Sequence, residues 1–343
     1  MSYRLQDARP PDPSIHGLDG RTGWQLGRLV FGPSLLEPVA LAIRAAPRDQ
    51  PVLITGESGT GKELVAELIH GHSPRRDRPF IALNCGSIPG ELVESELFGH
   101  VRGAYTNALT GRPGSFAAAH SGSLFLDELG ELPLRTQPSL LRALETGRVR
   151  PVGTELERAV DVRVIAATHR DLYAEAADGR FRHDLVYRLD VLRVHLPPLR
   201  ERADELPLLV PVLLEQVGAP RDVTRAALRR LAAHPWPGNV RELRNVLVRA
   251  AQLADHRIDS GHVDAALARC SGQAPELLPS FGDPGLREVP PREVLYHYAE
   301  AALRHSDNRP TRAAEAIGVP RSTFYRWLKL GRVNGAAMDA NRR

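Results

Sequence analysis

Lysine is almost missing from this sequence. Of its 343 residues only Lys62 and Lys329 are lysine, and the other 43 of the 45 basic residues are arginine. A chain so committed to arginine is expected to keep a lysine only where a compact ammonium does something a guanidinium does poorly. Cysteine is as scarce. Cys85 and Cys270 cannot build a disulfide framework and have no metal-like spacing, so both are expected to be inert thiols in the cytoplasm. The thirteen histidines are scattered, with no pair at metal-ligand spacing. No apolar run reaches the roughly 20 residues that cross a bilayer; the strongest, Leu206 to Leu214, holds two prolines. The opening MSYRLQDARPPDPS has no apolar core, which argues against a secretory signal. With 42% hydrophobic and 25% charged residues, the composition also excludes a fibrous or largely disordered chain, and the length suits two or three domains.

What is present is organised in blocks. Residues 1–22 are rich in Pro, Gly and Asp and read as a flexible leader, with no folded module expected ahead of Trp24. Over 23–197, short β-rich runs alternate with helical patterns, as in a parallel α/β sheet. PVLITG (51–56), RPFIALN (78–84), GSLFLDE (122–128) and VRVIAATH (162–169) are the predicted strands, and 62–73 and 136–147 the predicted helices. Residues 198–269 turn into leucine- and alanine-rich helices, 270–290 form a Pro/Gly/Ser-rich linker, 291–332 a small helical module and 333–343 a tail. The net charge of +4 is uneven: residues 309–343 hold eight basic and two acidic side chains. A basic end on a near-neutral body suggests contact with nucleic acid.

Gly56, Glu57, Ser58, Gly59, Thr60, Gly61 and Lys62 follow a predicted strand and open a predicted helix. In that context a glycine-rich loop wraps phosphates with its backbone N–H groups, and Lys62 supplies an ammonium to the β/γ-phosphates. Glu63 stands where the general pattern has Ser or Thr, so the usual hydroxyl ligand to Mg²⁺ is missing. The second half of the site is an apolar strand ending in Asp127 and Glu128, 65 residues after Lys62. Asp127 is expected to hold Mg²⁺ and Glu128 to polarise the water that attacks the γ-phosphate of ATP.

Five motifs now stand in order: GESGTGKE, ELFGHVRGAYTNA, GSLFLDELGELP, FRHDLVYRLDVLRVHLPPLRER and WPGNVRELRN. Together they resemble the AAA+ domain of bacterial enhancer-binding proteins, the activators of sigma-54 RNA polymerase, over nearly the whole chain from about residue 24. The resemblance implies a P-loop NTPase with a parallel sheet, a helical lid and a small all-α helix-turn-helix domain. It places Glu63 after the lysine as a family trait. It makes Asn84 the switch that senses the γ-phosphate and holds Glu128 inactive, puts Thr168 and His169 at sensor I, and puts Arg241 at sensor II. Arg182 and Arg188 match arginine fingers that reach the next subunit's nucleotide, which implies a ring, in this family a hexamer.

The family's sigma-contacting loop reads GAFTGA; here it is Gly103, Ala104, Tyr105, Thr106, Asn107 and Ala108. Tyr105 keeps the aromatic ring, Thr106 is retained, and Asn107 adds a side chain where the family has glycine. Remodelling of the closed sigma-54 complex is therefore the expected function. The alternative is a DNA-binding AAA+ regulator that acts without sigma-54 and uses ATP for assembly. Control in trans, by a regulatory protein or by expression level, follows if no receiver domain is attached.

At the basic end, residues 311–329 read as helix, tight turn at Gly318, and second helix. Ala314, Ile317, Phe324 and Leu328 are expected to pack the helices. Arg312, Arg321, Ser322, Thr323, Tyr325, Arg326 and Lys329 are left for the major groove and phosphates. The pattern resembles the Fis-type helix-turn-helix that ends many enhancer-binding proteins, which implies double-stranded enhancer DNA as partner, with 291–305 supplying a preceding helix and a dimer contact.

Overall fold

The computed structural model describes residues 16–17, 24–26, 29–104, 110–219, 221–268, 299, 302–303, 306, 309–316, 321 and 323–329. The chain divides into two compact units, Met1–Ala266 and Leu267–Arg343.

The first unit is built on five parallel strands: β1 (Val52–Thr55), β2 (Phe80–Asn84), β3 (Ser123–Asp127), β4 (Arg163–Thr168) and β5 (Leu192–His195), in the order β5-β1-β4-β3-β2. The four predicted strands are present, one or two residues shorter at their ends. The fifth was not expected as a strand: it is one of the two outer ones, only its Val194 is fully buried, and its arginine and histidine hide the apolar signal. Successive side chains enter opposite faces. Val52, Ile54, Phe125, Ile165, Ala167 and Val194 join one core with α1 (Leu36–Ala45) and α2 (Lys62–Gly71). Leu53, Leu83, Leu124, Leu126, Val164 and Ala166 join the other, with α3 (Val93–Phe98), α4 (Gln137–Thr146), α5 (Leu172–Ala177) and α6 (His183–Leu189).

Because all five strands run the same way, their carboxyl ends share one edge: Asn84 lies beside Asp127, and both Thr168 and His195 lie beside Thr55. That edge is where parallel α/β sheets take ligands. The opposite edge is closed by Arg163. Buried at the start of β4, it donates to the carbonyls of Ala46 (2.5 Å) and Ala45 (2.8 Å) at the end of α1. Burial lowers its pKa to about 10, and two donors in one fork are something lysine does not offer.

The expected leader ends too late. His16–Gly17, Trp24–Leu26 and Leu29–Phe31 form a three-stranded antiparallel sheet, with His16 opposite Gln25 and Gly17 opposite Trp24, so residues 16–17 belong to structure. The glycine and charged residues between them hide this in the sequence.

Among the described residues five helical segments make the lid: a 3₁₀ segment (Leu199–Glu205), α7 (Leu206–Gln216), α8 (Arg225–Ala232), α9 (Asn239–Leu253) and α10 (Ser260–Ala268). Thr224 caps α8 by accepting from Ala227 N at 3.1 Å. Trp236 is wholly buried and donates from Nε1 to the Leu231 carbonyl at 2.8 Å. Up to Ala266 the lid belongs to the same compact unit as the sheet.

In the second unit, Pro310–Ala316 and residues 323–329 are helical. Phe324 is buried in a small core with Ala299, Ala302, Ala313 and Ala314, and Leu328 packs against it. Ala314 and Phe324 thus take the packing positions expected of them; Ile317 and Gly318 lie outside the described residues.

Candidate nucleotide site

The loop 56–61 leaves β1 and turns into α2. Its three glycines have φ of +151°, +80° and +105°, and Gly61 opens α2 in a left-handed conformation. At Gly56 an added Cβ would lie 2.6 Å from the Leu196 carbonyl oxygen, and at Gly59 2.4 Å from that of Gly238. Lys62 is buried, and its Nζ donates to the carbonyls of Gly56 (2.9 Å) and Glu57 (3.0 Å). Burial lowers its pKa while the Glu128 and Asp127 carboxylates oppose that shift. A buried ammonium bonded to carbonyls of its own loop is poised for an anionic acceptor, which binds it more strongly. Thr60 Oγ1 donates to Glu57 O (2.8 Å) and tightens the turn. Glu63 is exposed in the first turn of α2.

The lid holds the outside of this loop. Asn239 Nδ2 donates to Ser58 O (3.0 Å), Val240 N to Gly59 O (3.0 Å) and Arg202 Nη2 to Thr60 O (2.9 Å). Arg241 Nη1 donates to Ser58 Oγ at 3.1 Å, so the arginine expected at sensor II sits against the loop. Glu57 accepts from Arg200 Nη1 (2.9 Å), Arg200 Nη2 (2.7 Å) and Asn239 Nδ2 (3.2 Å); the arginine, then the amide, hold its carboxyl below the usual range. Arg200, Arg202 and Asn239 had no role assigned from sequence, although all three lie within quoted motifs. A signal for Asn239 was its place directly after Pro-Gly, where a left-handed residue is common; its φ is +52°.

The acidic edge differs from expectation. Asn84 Nδ2 donates to Asp127 Oδ2 (3.2 Å), while Asn84 Oδ1 accepts from Gly86 N and Ser87 N (3.0 Å each). Asn84 therefore holds Asp127 here, not Glu128, because the β2–β3 register sets those two side by side. Glu128 turns away through a left-handed backbone (φ +51°), and its Oε2 lies 2.5 Å from His169 Nδ1. Thr168 is fully buried: its Oγ1 accepts from Arg170 N (3.0 Å) and its carbonyl from Gly56 N (3.3 Å), so it backs the loop instead of presenting a hydroxyl to it. Cys85, next to Asn84, is buried, and burial ahead of the Asp127 and Glu128 charges pushes its thiol up to about 12. A buried thiol shifted up in this way carries little thiolate near neutral pH; Cys270 lies outside the described residues.

The cradle fits a triphosphate: two glycines have no room for a Cβ, and a buried ammonium waits beside them. For Mg²⁺ the protein offers one carboxylate of this edge, Asp127, and no group of three or more metal-binding side chains exists among the described residues. That donor set suits an ion held largely by the nucleotide's own oxygens and water.

Arg182 and Arg188 lie at either end of α6. Arg182 pairs with Asp184 (2.7 Å) and Arg188 Nη2 donates to the Leu144 carbonyl (2.8 Å); neither is engaged by the loop of its own chain. Of the sigma-loop residues, Gly103 (φ +82°) and Ala104 are described at the neck, whereas Tyr105, Thr106, Asn107 and Ala108 lie outside the described residues. In the second unit Arg312, Arg321, Tyr325, Arg326 and Lys329 are exposed and Thr323 half-buried; Ser322 lies outside the described residues.

Known proteins place this architecture. The sigma-54 interaction domain matches residues 32–195, and the AAA+ ATPase lid domain matches 200–277. The response regulator protein PilR of Pseudomonas aeruginosa is 44% identical over 294 residues, 84% of this chain and 66% of PilR. The transcriptional regulatory protein GlrR of Escherichia coli is 40% identical over 310 residues, 89% of this chain and 68% of GlrR. The crystal structure of NtrX from Brucella abortus in complex with ATP is similar at 34% identity and a TM-score of 0.63, over 89% of this chain and 69% of NtrX. The chain spans about two thirds of the length of these relatives. Matched in order by both domain families and 40% identical to GlrR across 68% of that regulator, the chain belongs to the sigma-54-dependent transcriptional activators, whose central domain is an AAA+ ATPase.

Proposed function

We propose that this protein binds enhancer DNA, assembles into a ring, and uses ATP hydrolysis to convert the closed sigma-54 RNA polymerase complex to the open one in the bacterial cytoplasm. The observation that carries the reading is the complete cradle at the sheet edge, with Lys62 buried against Gly56 and Glu57, in a chain whose 32–195 segment is a sigma-54 interaction domain. Among the described residues no helix is long and apolar enough to cross a membrane.

Lys62 and the loop amides bind and orient the phosphates. When bound, Mg²⁺ neutralises phosphate charge, and Asp127 is the side chain that would hold it. Glu128 takes the role of base toward the attacking water, which requires it to leave His169. Arg182 and Arg188 of a neighbouring subunit supply positive charge to the transition state, so ATPase activity rises with assembly. Residues 103–108 then carry the change to sigma-54, while Arg312, Arg321, Ser322, Thr323, Tyr325, Arg326 and Lys329 contact DNA.

The test is binding of the purified protein to sigma-54 in the presence of an ATP transition-state analogue. The native loop and Asn107→Gly are expected to form a complex, and Thr106→Ala to lose it by at least about tenfold while keeping ATPase activity. A native loop that binds no sigma-54 overturns the reading.

A further inference from the structure

Glu57 is chemically out of place. A loop that collects a triphosphate is built to attract anions, and a carboxylate at its second position repels the ligand unless it is turned away and neutralised. Here it is both: three hydrogen bonds from Arg200 and Asn239 hold it on the lid side.

We propose that Glu57 is the docking point of the lid on the nucleotide loop, and that Arg200 and Asn239 are positioning residues that set the loop for ATP from its outer face. In a trans peptide the carbonyl of one residue and the N–H of the next point in opposite directions. Three consecutive carbonyls, of Ser58, Gly59 and Thr60, are tied to Asn239, Val240 and Arg202 on the lid side. The N–H groups of Gly59, Thr60 and Gly61 are thereby aimed the other way, as phosphate coordination needs. Asn239 is fully buried and also accepts from Leu199 N at 2.7 Å, which fastens the start of the lid to the same point. Its left-handed backbone is a conformation that costs free energy and persists only where its surroundings fix it. With Glu57 released, the Asn239 amide loses one of the two loop acceptors that fix it, and its hold on the Ser58 carbonyl, which aims the Gly59 N–H, loosens.

The inference rests on the loop being the ATP site, and its test separates the two. Fluorescent ATP and ADP analogues are titrated against the full chain and the variants Glu57→Gln, Arg200→Gln, the double variant and Lys62→Ala, with thermal melting alongside. The exposed pair is chosen because its side chains are 41% and 45% accessible, and such pairs contribute little to folding stability. Each single substitution is expected to weaken ATP binding about tenfold, the double variant no further, and the melting temperature to move by no more than about 2 °C. Additive losses, a loss confined to one member of the pair, no loss at all, or tighter binding by Glu57→Gln overturn the proposal, the last by showing that the carboxylate merely opposes the phosphates. If Lys62→Ala binds ATP like the native chain, the assignment of the site itself fails instead.

Discussion

Two glycine-bearing loops leave the same α/β body and are held in opposite ways. The nucleotide loop is gripped along its outer side by five lid residues, Arg200, Arg202, Asn239, Val240 and Arg241, each through a hydrogen bond to a loop carbonyl, carboxylate or hydroxyl. The loop bearing Gly103 is clamped at its neck: Gly99–His100 pairs with Arg112–Pro113, and Val101 N and Gly99 O bond to Val152. His100 adds bonds to Ser95 and Thr110, and Arg112 pairs with Glu96 at 2.9 Å. A cradle for a fixed ligand needs its backbone set residue by residue. A loop that must reach a partner needs a firm root.

The largest expected effect breaks the grip on the first loop. Gly59→Ala places a methyl 2.4 Å from the Gly238 backbone oxygen at a φ of +80°, and neither side can yield without moving the lid. ATP affinity is expected to fall by about a hundredfold or more, read by nucleotide titration. Normal binding would show that the lid does not abut the loop in solution.

Next comes the root of the second loop. Gly153→Ala sets a Cβ 2.7 Å from the Ala104 Cβ at a φ of +85°. Sigma-54 binding should drop about tenfold with ATP binding unchanged; a matching loss of ATP binding would mean the two loops do not separate as described.

The smallest effect is on pH. Arg200, then Asn239, lower the Glu57 pKa, so the contact is complete above the ordinary glutamate range, near 4.3, and is lost only as pH falls through the lower folded value. ATP affinity referred to Glu57 should therefore stay level as pH is taken from 7 through the ordinary glutamate range. In Arg200→Gln any decline attributable to Glu57 should begin at higher pH. Identical profiles would disconnect the ion pair from the loop.

How much of this was legible follows from where the partners come from. Lys62 stood out because the composition makes a lysine unusual, and the strand before it and helix after it are local signals. Asp127 and Glu128 were found at the strand end for the same reason. The partner of Glu57 was not legible, since Arg200 lies 143 residues away and meets it only through the fold of the lid. That Asn84 bonds Asp127 in this structure, and not the Glu128 expected from sequence, depends on strand register and on the left-handed turn at Glu128, neither of which has a one-dimensional trace. Edge strand β5 was missed because one face is wet and its polar residues interrupt the apolar pattern.

The way α9 begins has a mechanical consequence. Its first-turn amide, Val240 N, is bonded to Gly59 O, and the helix then runs for 15 residues, a rod of about 22 Å. With the buried Leu243 one turn in as fulcrum, a loop displacement of about 1 Å becomes about 3 Å at the far end. The helix is a lever whose short arm rests on the phosphates' own cradle.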